Sequence, residues 1–258
     1  MNALPAFTTL GAGPTVLMLH DVLGGHLTFA PQVESLAAAG YRAVAWDMPG
    51  YGRSAPIDPC SFKGLAQSCI DLIEALKAGS VVLVGQGVGG MVAQEVVARR
   101  PELVNRLILC ATLARGFDAS GATEGEPLPE LEAGHGLSQW AEFNLPRLVG
   151  PGALPEGVLL ASHAMAQINP SAYRRINAEA AYFNRQADLE RIHVPTLLVA
   201  GEFDRVAPPD LMKQMADRIG RSCTLAVLRG AGHMPQLEAP EDFDTALLGF
   251  LALPRLLH

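Results

Sequence analysis

The chain has 258 residues, of which 49% are hydrophobic and 17% charged, with 19 basic against 26 acidic side chains and a formal charge of −7. That length suffices for one large α/β core or two small ones, and so apolar a composition excludes a disordered chain. The acidic balance argues against a nucleic-acid-binding surface.

The opening twenty residues carry no charge, but Pro5, Gly11, Gly13 and Pro14 interrupt them and no basic n-region precedes them. They read as neither export signal nor membrane span, so a cytoplasmic protein with no membrane partner is expected. The first strand is predicted over Val16–Leu19, followed by a helix over Gln32–Ala39 that Gly40 stops. Next come a strand at Ala43–Trp46, a helix at Phe62–Lys77, a strand at Val81–Val84 and a helix at Gly90–Arg100 ended by Pro101. The uncharged run Gly79 to Gln94 holds five glycines and two glutamines, which rules it out as a spanning helix. A strand at Leu107–Cys110 precedes a long insertion, after which strands at Thr196–Ala200 and Thr224–Leu228 alternate with helices at Pro209–Ile219 and Glu241–Leu251. This alternation predicts an α/β fold, a doubly wound, mostly parallel sheet covered on both faces.

The insertion spans residues 115–191. It begins with Pro/Gly/Glu-rich sequence at Gly116–Gly136 and continues with helical patterns at Leu137–Leu148, Gly157–Ile168 and Ser171–Asp188. It is too long and too helical for a loop and reads as a cap over the strand ends, on a core of residues 1–114 and 192–258. Cys60, Cys69, Cys110 and Cys223 are widely spaced with no CxxC pair, so neither a metal site nor a disulfide scaffold is expected.

Four patterns fall at the carboxyl ends of predicted strands, where open α/β sheets bind ligands. They are Leu19-His20-Asp21-Val22-Leu23-Gly24-Gly25, Asp47-Met48-Pro49-Gly50-Tyr51-Gly52-Arg53-Ser54, Gly85-Gln86-Gly87-Val88-Gly89-Gly90, and a split pattern of Gly201-Glu202-Phe203-Asp204 with Gly230-Ala231-Gly232-His233-Met234-Pro235. In this order and spacing they resemble the α/β-hydrolase superfamily, in the flavour of small bacterial enol-lactonases, carbon–carbon hydrolases and esterases. The resemblance covers nearly all of the chain outside the cap and implies a small-molecule substrate and no cofactor.

In that superfamily a G-x-S-x-G elbow carries the nucleophile, and an acid and then a histidine follow in the chain. Here Gly87 stands at the nucleophile position and supplies no attacking atom. The resemblance implies oxyanion donors in the backbone N–H groups of Val22 and Val88. The usual His-Gly reads His20-Asp21; an inward Asp21 carboxylate would oppose a developing oxyanion, whereas one turned outward or bonded to turn amides would not. Asp204, 29 residues before His233, is expected to orient that histidine as acid–base group; the other position for the acid offers no carboxylate before Asp118. His20 is expected to brace the loop behind the oxyanion donors. Weaker candidates for substrate contact are His20, Asp21, Gln86, Trp140 and Phe143, while Arg174, Arg175, Arg185 and Arg191 read as a solvated helical face.

Three functions compete. The first is a hydrolase of a small ester, enol-lactone or activated carbon–carbon bond whose serine has been lost or replaced. The second is a non-covalent His–Asp enzyme, in which His233 activates a water in the space left by the serine, or abstracts a substrate proton as in lyases and cofactor-free oxygenases. The third is a ligand-binding protein on a retired hydrolase scaffold. Substrate identity and oligomeric state are left open by the sequence.

Overall fold

A computed structural model describes residues 3–117, 125–132 and 134–254, so Asp118 lies outside the described residues. In chain order these form β1 (Phe7–Leu10), β2 (Thr15–Leu19), α1 (Ala30–Ala38), β3 (Arg42–Trp46), α2 (Phe62–Ala75), β4 (Val81–Gln86), α3 (Val88–Arg99) and β5 (Val104–Cys110). Then follow α4 (Leu137–Leu148), α5 (Pro155–Ala166), α6 (Pro170–Ala180), β6 (Thr196–Gly201), α7 (Pro209–Ile219), β7 (Cys223–Leu228), α8 (Pro235–Glu238) and α9 (Pro240–Ala252).

The strands make one sheet in the order β1-β3-β2-β4-β5-β6-β7 among the described residues. All neighbours are parallel except β1, which pairs antiparallel with β3, Phe7 opposite Trp46. The sequence reading missed β1 because its four residues, Phe-Thr-Thr-Leu, lie on an edge and are only partly covered, so they carry no buried apolar run. The inner strands β2, β4 and β6 are buried throughout, which is why they read as continuous apolar stretches. Side chains alternate between two cores: Leu17, Leu83 and Leu109 face the side covered by α2 and α3, while Met18, Val84, Ile108 and Val199 meet Phe243 and Leu247 of α9. The chain leaves β2 toward β3 and returns to β4 on its other side. The crevice at that reversal, outside the carboxyl ends of β2 and β4, is where the fold opens a ligand site.

Between β5 and β6 the chain makes α4, α5 and α6. The third is shorter than the single helix expected over Ser171–Asp188; it ends at Ala180, and a short 3₁₀ segment runs from Gln186 to Arg191. Tertiary contacts break it. The Gly116 N–H donates to the Phe183 carbonyl and the Arg185 N–H to the Ala114 carbonyl. The Arg185 guanidinium pairs with buried Glu95 of α3 and, at 2.8 Å, with Asp188, so this arginine anchors the insertion rather than facing solvent.

Candidate active site

Asp204 and His233 come together from the loops that follow β6 and β7. Both carboxylate oxygens of Asp204 lie at 3.0–3.1 Å from Nδ1 of His233. Asp204 Oδ1 also accepts from the Val206 and Ala207 N–H groups, at 2.8 and 3.1 Å, which locks its rotamer. The peptide around His233 is tied on three sides. Its N–H donates to the Leu148 carbonyl of α4, and its carbonyl accepts from Gln86 Nε2. Buried Glu238 accepts from the N–H groups of Gly232, Met234 and Gly150 at 2.7–2.8 Å. Glu238 had no motif to announce it; one carboxylate holds the histidine loop against the end of α4.

The elbow between β4 and α3 has the expected strand–turn–helix form. Gly87 adopts φ +54°, ψ −122°, a conformation costly to any residue with a Cβ. Its N–H donates to the Cys110 carbonyl, and its carbonyl accepts from the Thr112 hydroxyl at 2.6 Å. Gly89 is needed for close approach, since a Cβ there would stand 2.2 Å from the Leu19 carbonyl oxygen.

Asp21 points inward. A Cβ placed on Gly87 would lie 2.0 Å from Asp21 Oδ1, so this carboxylate occupies the room that any side chain at position 87 would need. The expectation of a water in that space is thereby corrected. Asp21 Oδ1 accepts from the Val88 N–H at 2.7 Å, Oδ2 accepts from the Leu23 N–H at 3.3 Å, and Oδ2 lies 3.8 Å from Nε2 of His233. The Val88 donor expected to serve a substrate oxyanion is therefore spent on the protein's own carboxylate, at the positive end of α3.

The electrostatics follow from this packing. Burial would lower the pKa of His233, but the charges of Asp204 and Asp21 outweigh it and raise it to about 10. Burial works the other way on Asp21, yet the nearby His233 and the Val88 and Val22 amides hold its carboxyl below the ordinary range. The resting site is thus an imidazolium between two aspartates.

The remaining candidates divide. His20 is buried; the Met48 N–H donates to its Nε2 and its Nδ1 donates to the Asp21 carbonyl, which links the turn after β2 to the one after β3. Burial lowers its pKa, keeping it neutral. Gln86 does not line the cavity that His233 borders; its Oε1 accepts from the Asp21 N–H while its Nε2 donates to the His233 carbonyl, which makes it a strut between the two. Trp140 is buried with its indole N–H on the Pro129 carbonyl, and Phe143 is 72% exposed. Both border a separate pocket beside His135 and neither lines the cavity at His233.

A cavity of about 250 Å³ opens onto Asp21, Val22, Gly87, Val88 and His233. Its other walls are mainly apolar, from Met91, Leu113, Phe117, Leu128, Ala180 and Val206, with Thr112, Asn177 and Glu130 as polar exceptions. That is room for a small, largely apolar molecule against one charged end.

Comparison with known proteins agrees with this architecture. The chain is 27% identical to 3-oxoadipate enol-lactonase 2 of Acinetobacter baylyi, over 93% of its own length and 90% of that protein. It is likewise 27% identical to the 2-hydroxy-6-oxononadienedioate/2-hydroxy-6-oxononatrienedioate hydrolase of Paraburkholderia xenovorans, over 92% and 86% of the two chains. Among solved structures, a thermophilic esterase from Thermogutta terrifontis superposes with a TM-score of 0.85 at 27% identity, covering 95% of this chain and 92% of that one. The model of the alpha/beta hydrolase family matches residues 16–246, which take in the elbow, Asp204 and His233. With that match and the sheet that carries it, the chain belongs to the alpha/beta hydrolase family.

Proposed function

We propose that this protein hydrolyses a small, largely apolar ester or enol-lactone at the Asp204–His233 pair, without a serine acyl-enzyme. The observation that carries the reading is His233: one ring nitrogen is held by Asp204 and the other is aimed past Asp21 into a cavity large enough for such a molecule. A binding pocket alone needs neither residue. The segment from 115 to 191 acts in this reading as a cap whose α6 roofs the cavity, and its apolar lining selects substrate by size rather than by charge.

The test is hydrolysis of short p-nitrophenyl esters and simple enol-lactones by the wild type and His233→Ala. The expected outcome is weak but saturable turnover that falls at least about 100-fold in the variant, the usual scale for loss of an acid–base group. Binding of the same compounds without turnover in either protein would instead identify a ligand-binding protein on a hydrolase scaffold.

A further inference from the structure

In a serine hydrolase the histidine must be neutral to take a proton. The geometry here assigns the opposite part to it, on the reading that the site is a hydrolase. We propose that the acid–base roles are exchanged: Asp21 is the base that takes a proton from the attacking water, and charged His233 is the acid that protonates the leaving oxygen.

Three observations lead there. The Asp21 carboxylate lies where the nucleophile would be, on the wall of the cavity, with its Oδ2 facing Nε2 of His233 at 3.8 Å. The histidine is enclosed by two carboxylates, which keep a proton on it to about pH 10. Asp21 is also fastened, with Val88 N–H on Oδ1 and Leu23 N–H on Oδ2. Bonding to a substrate carbon would pull it off those donors, whereas accepting a proton moves no heavy atom.

The step balances. Water gives one proton to Asp21 as its oxygen bonds the carbonyl carbon, and the π pair moves to the carbonyl oxygen beside the imidazolium. When the tetrahedral adduct collapses, the carbon–oxygen bond breaks with its electron pair on the leaving oxygen, which takes the Nε2 proton of His233. The proton on Asp21 then crosses to His233, so ester and water have become acid and alcohol and the site is as it began.

The other titratable groups around the pair are Asp204, Glu238, His20, Cys110, Tyr51 and Tyr173, with Glu130 on the wall of the cavity. Burial keeps His20 neutral and pushes the Cys110 thiol and both tyrosines up; burial also raises Glu238 against its three amide donors. His233 therefore keeps its proton up to about pH 10, where a free histidine would titrate near 6.5.

The deciding experiment combines three measurements. The rate–pH profile of the wild type is expected to stay flat through pH 6.5 and fall only toward pH 10, with Asp21→Asn at least 100-fold slower in kcat. Hydrolysis in ¹⁸O-water is expected to label the product and leave the Asp21 peptide unlabelled. Nitrogen-15 NMR of the imidazoles, with His233 assigned from His233→Gln, is expected to show both its nitrogens protonated at pH 8. A rate that rises through a midpoint near 6.5, or a neutral His233 at pH 8, overturns the exchange while leaving the hydrolase reading intact. ¹⁸O in Asp21 overturns it in favour of a covalent carboxylate intermediate. Absence of turnover on every ester and lactone sinks the hydrolase reading and the roles assigned under it.

Discussion

Gly87 and Asp21 compensate for one another. The first lacks the Cβ that would strike the carboxylate of the second, and that carboxylate in turn engages the Val88 amide and faces His233. The pair reproduces at rest the charges a serine hydrolase creates only in passing, an anion on the elbow amide beside an imidazolium. Restoring serine alone should accordingly fail. Gly87→Ser is expected to cost about 1–3 kcal/mol through overpacking against Asp21 and to gain no esterase burst. Asp21→Gly combined with Gly87→Ser removes the clash and frees the Val88 donor. It should melt below the wild type, because serine inherits the strained φ of +54° and His233 loses one of its two carboxylates, yet release a stoichiometric burst of p-nitrophenol. A burst from the single variant would show that the Asp21 carboxylate readily vacates the site.

At the scale of elements, the histidine loop is positioned by what packs on it. Glu238 of α8 ties Gly232 and Met234 to Gly150, just beyond α4, so the insertion and the histidine loop share one buried carboxylate. Glu238→Ala leaves three N–H groups without that acceptor and should lower stability by about 3 kcal/mol, judged from the ~1–3 kcal/mol cost of each buried unsatisfied donor after partial relaxation. Its effect on turnover should be larger in kcat than in KM, because the cavity walls stay while His233 loses its seat. Thermal melts and a kcat-against-KM comparison with Glu238→Gln, which keeps an acceptor oxygen, would check both; equal losses in the two variants would contradict a positioning role.

For the molecule as a whole, the ion triad makes stability depend on pH. His233 carries a folded-state pKa raised to about 10 against an unfolded value near 6.5. Its contribution is therefore fully present below about pH 6.5 and is lost as pH rises through 10, a change on the order of a few kcal/mol. Asp21 contributes with the opposite sign: its pKa is lowered on folding, so its share is lost only in acid. Urea denaturation at intervals from pH 6 to 10 should show falling stability in the wild type and a much flatter trend in His233→Gln. Parallel curves would mean that the histidine is not charged in the folded protein.

The alternation of apolar runs with helical patterns determined the α/β sheet, since strands buried on both faces must be apolar throughout. The order of Asp204 and His233 after the glycine-rich elbow likewise pointed to a pairing of these two residues, and they are hydrogen-bonded in the fold. Edge strand β1 and the early end of α6 were not legible, because partial exposure in one case and bonds to Ala114, Gly116 and Glu95 in the other leave no local pattern. Sequence also showed Asp21 and Gly87 as two separate oddities, 66 positions apart. Only the parallel pairing of β2 with β4, Leu19 beside Gly85, sets the two turns against each other. That register places the carboxylate in the space a Cβ would fill, and the physical reason it escapes a linear reading is that steric complementarity belongs to neighbours in space.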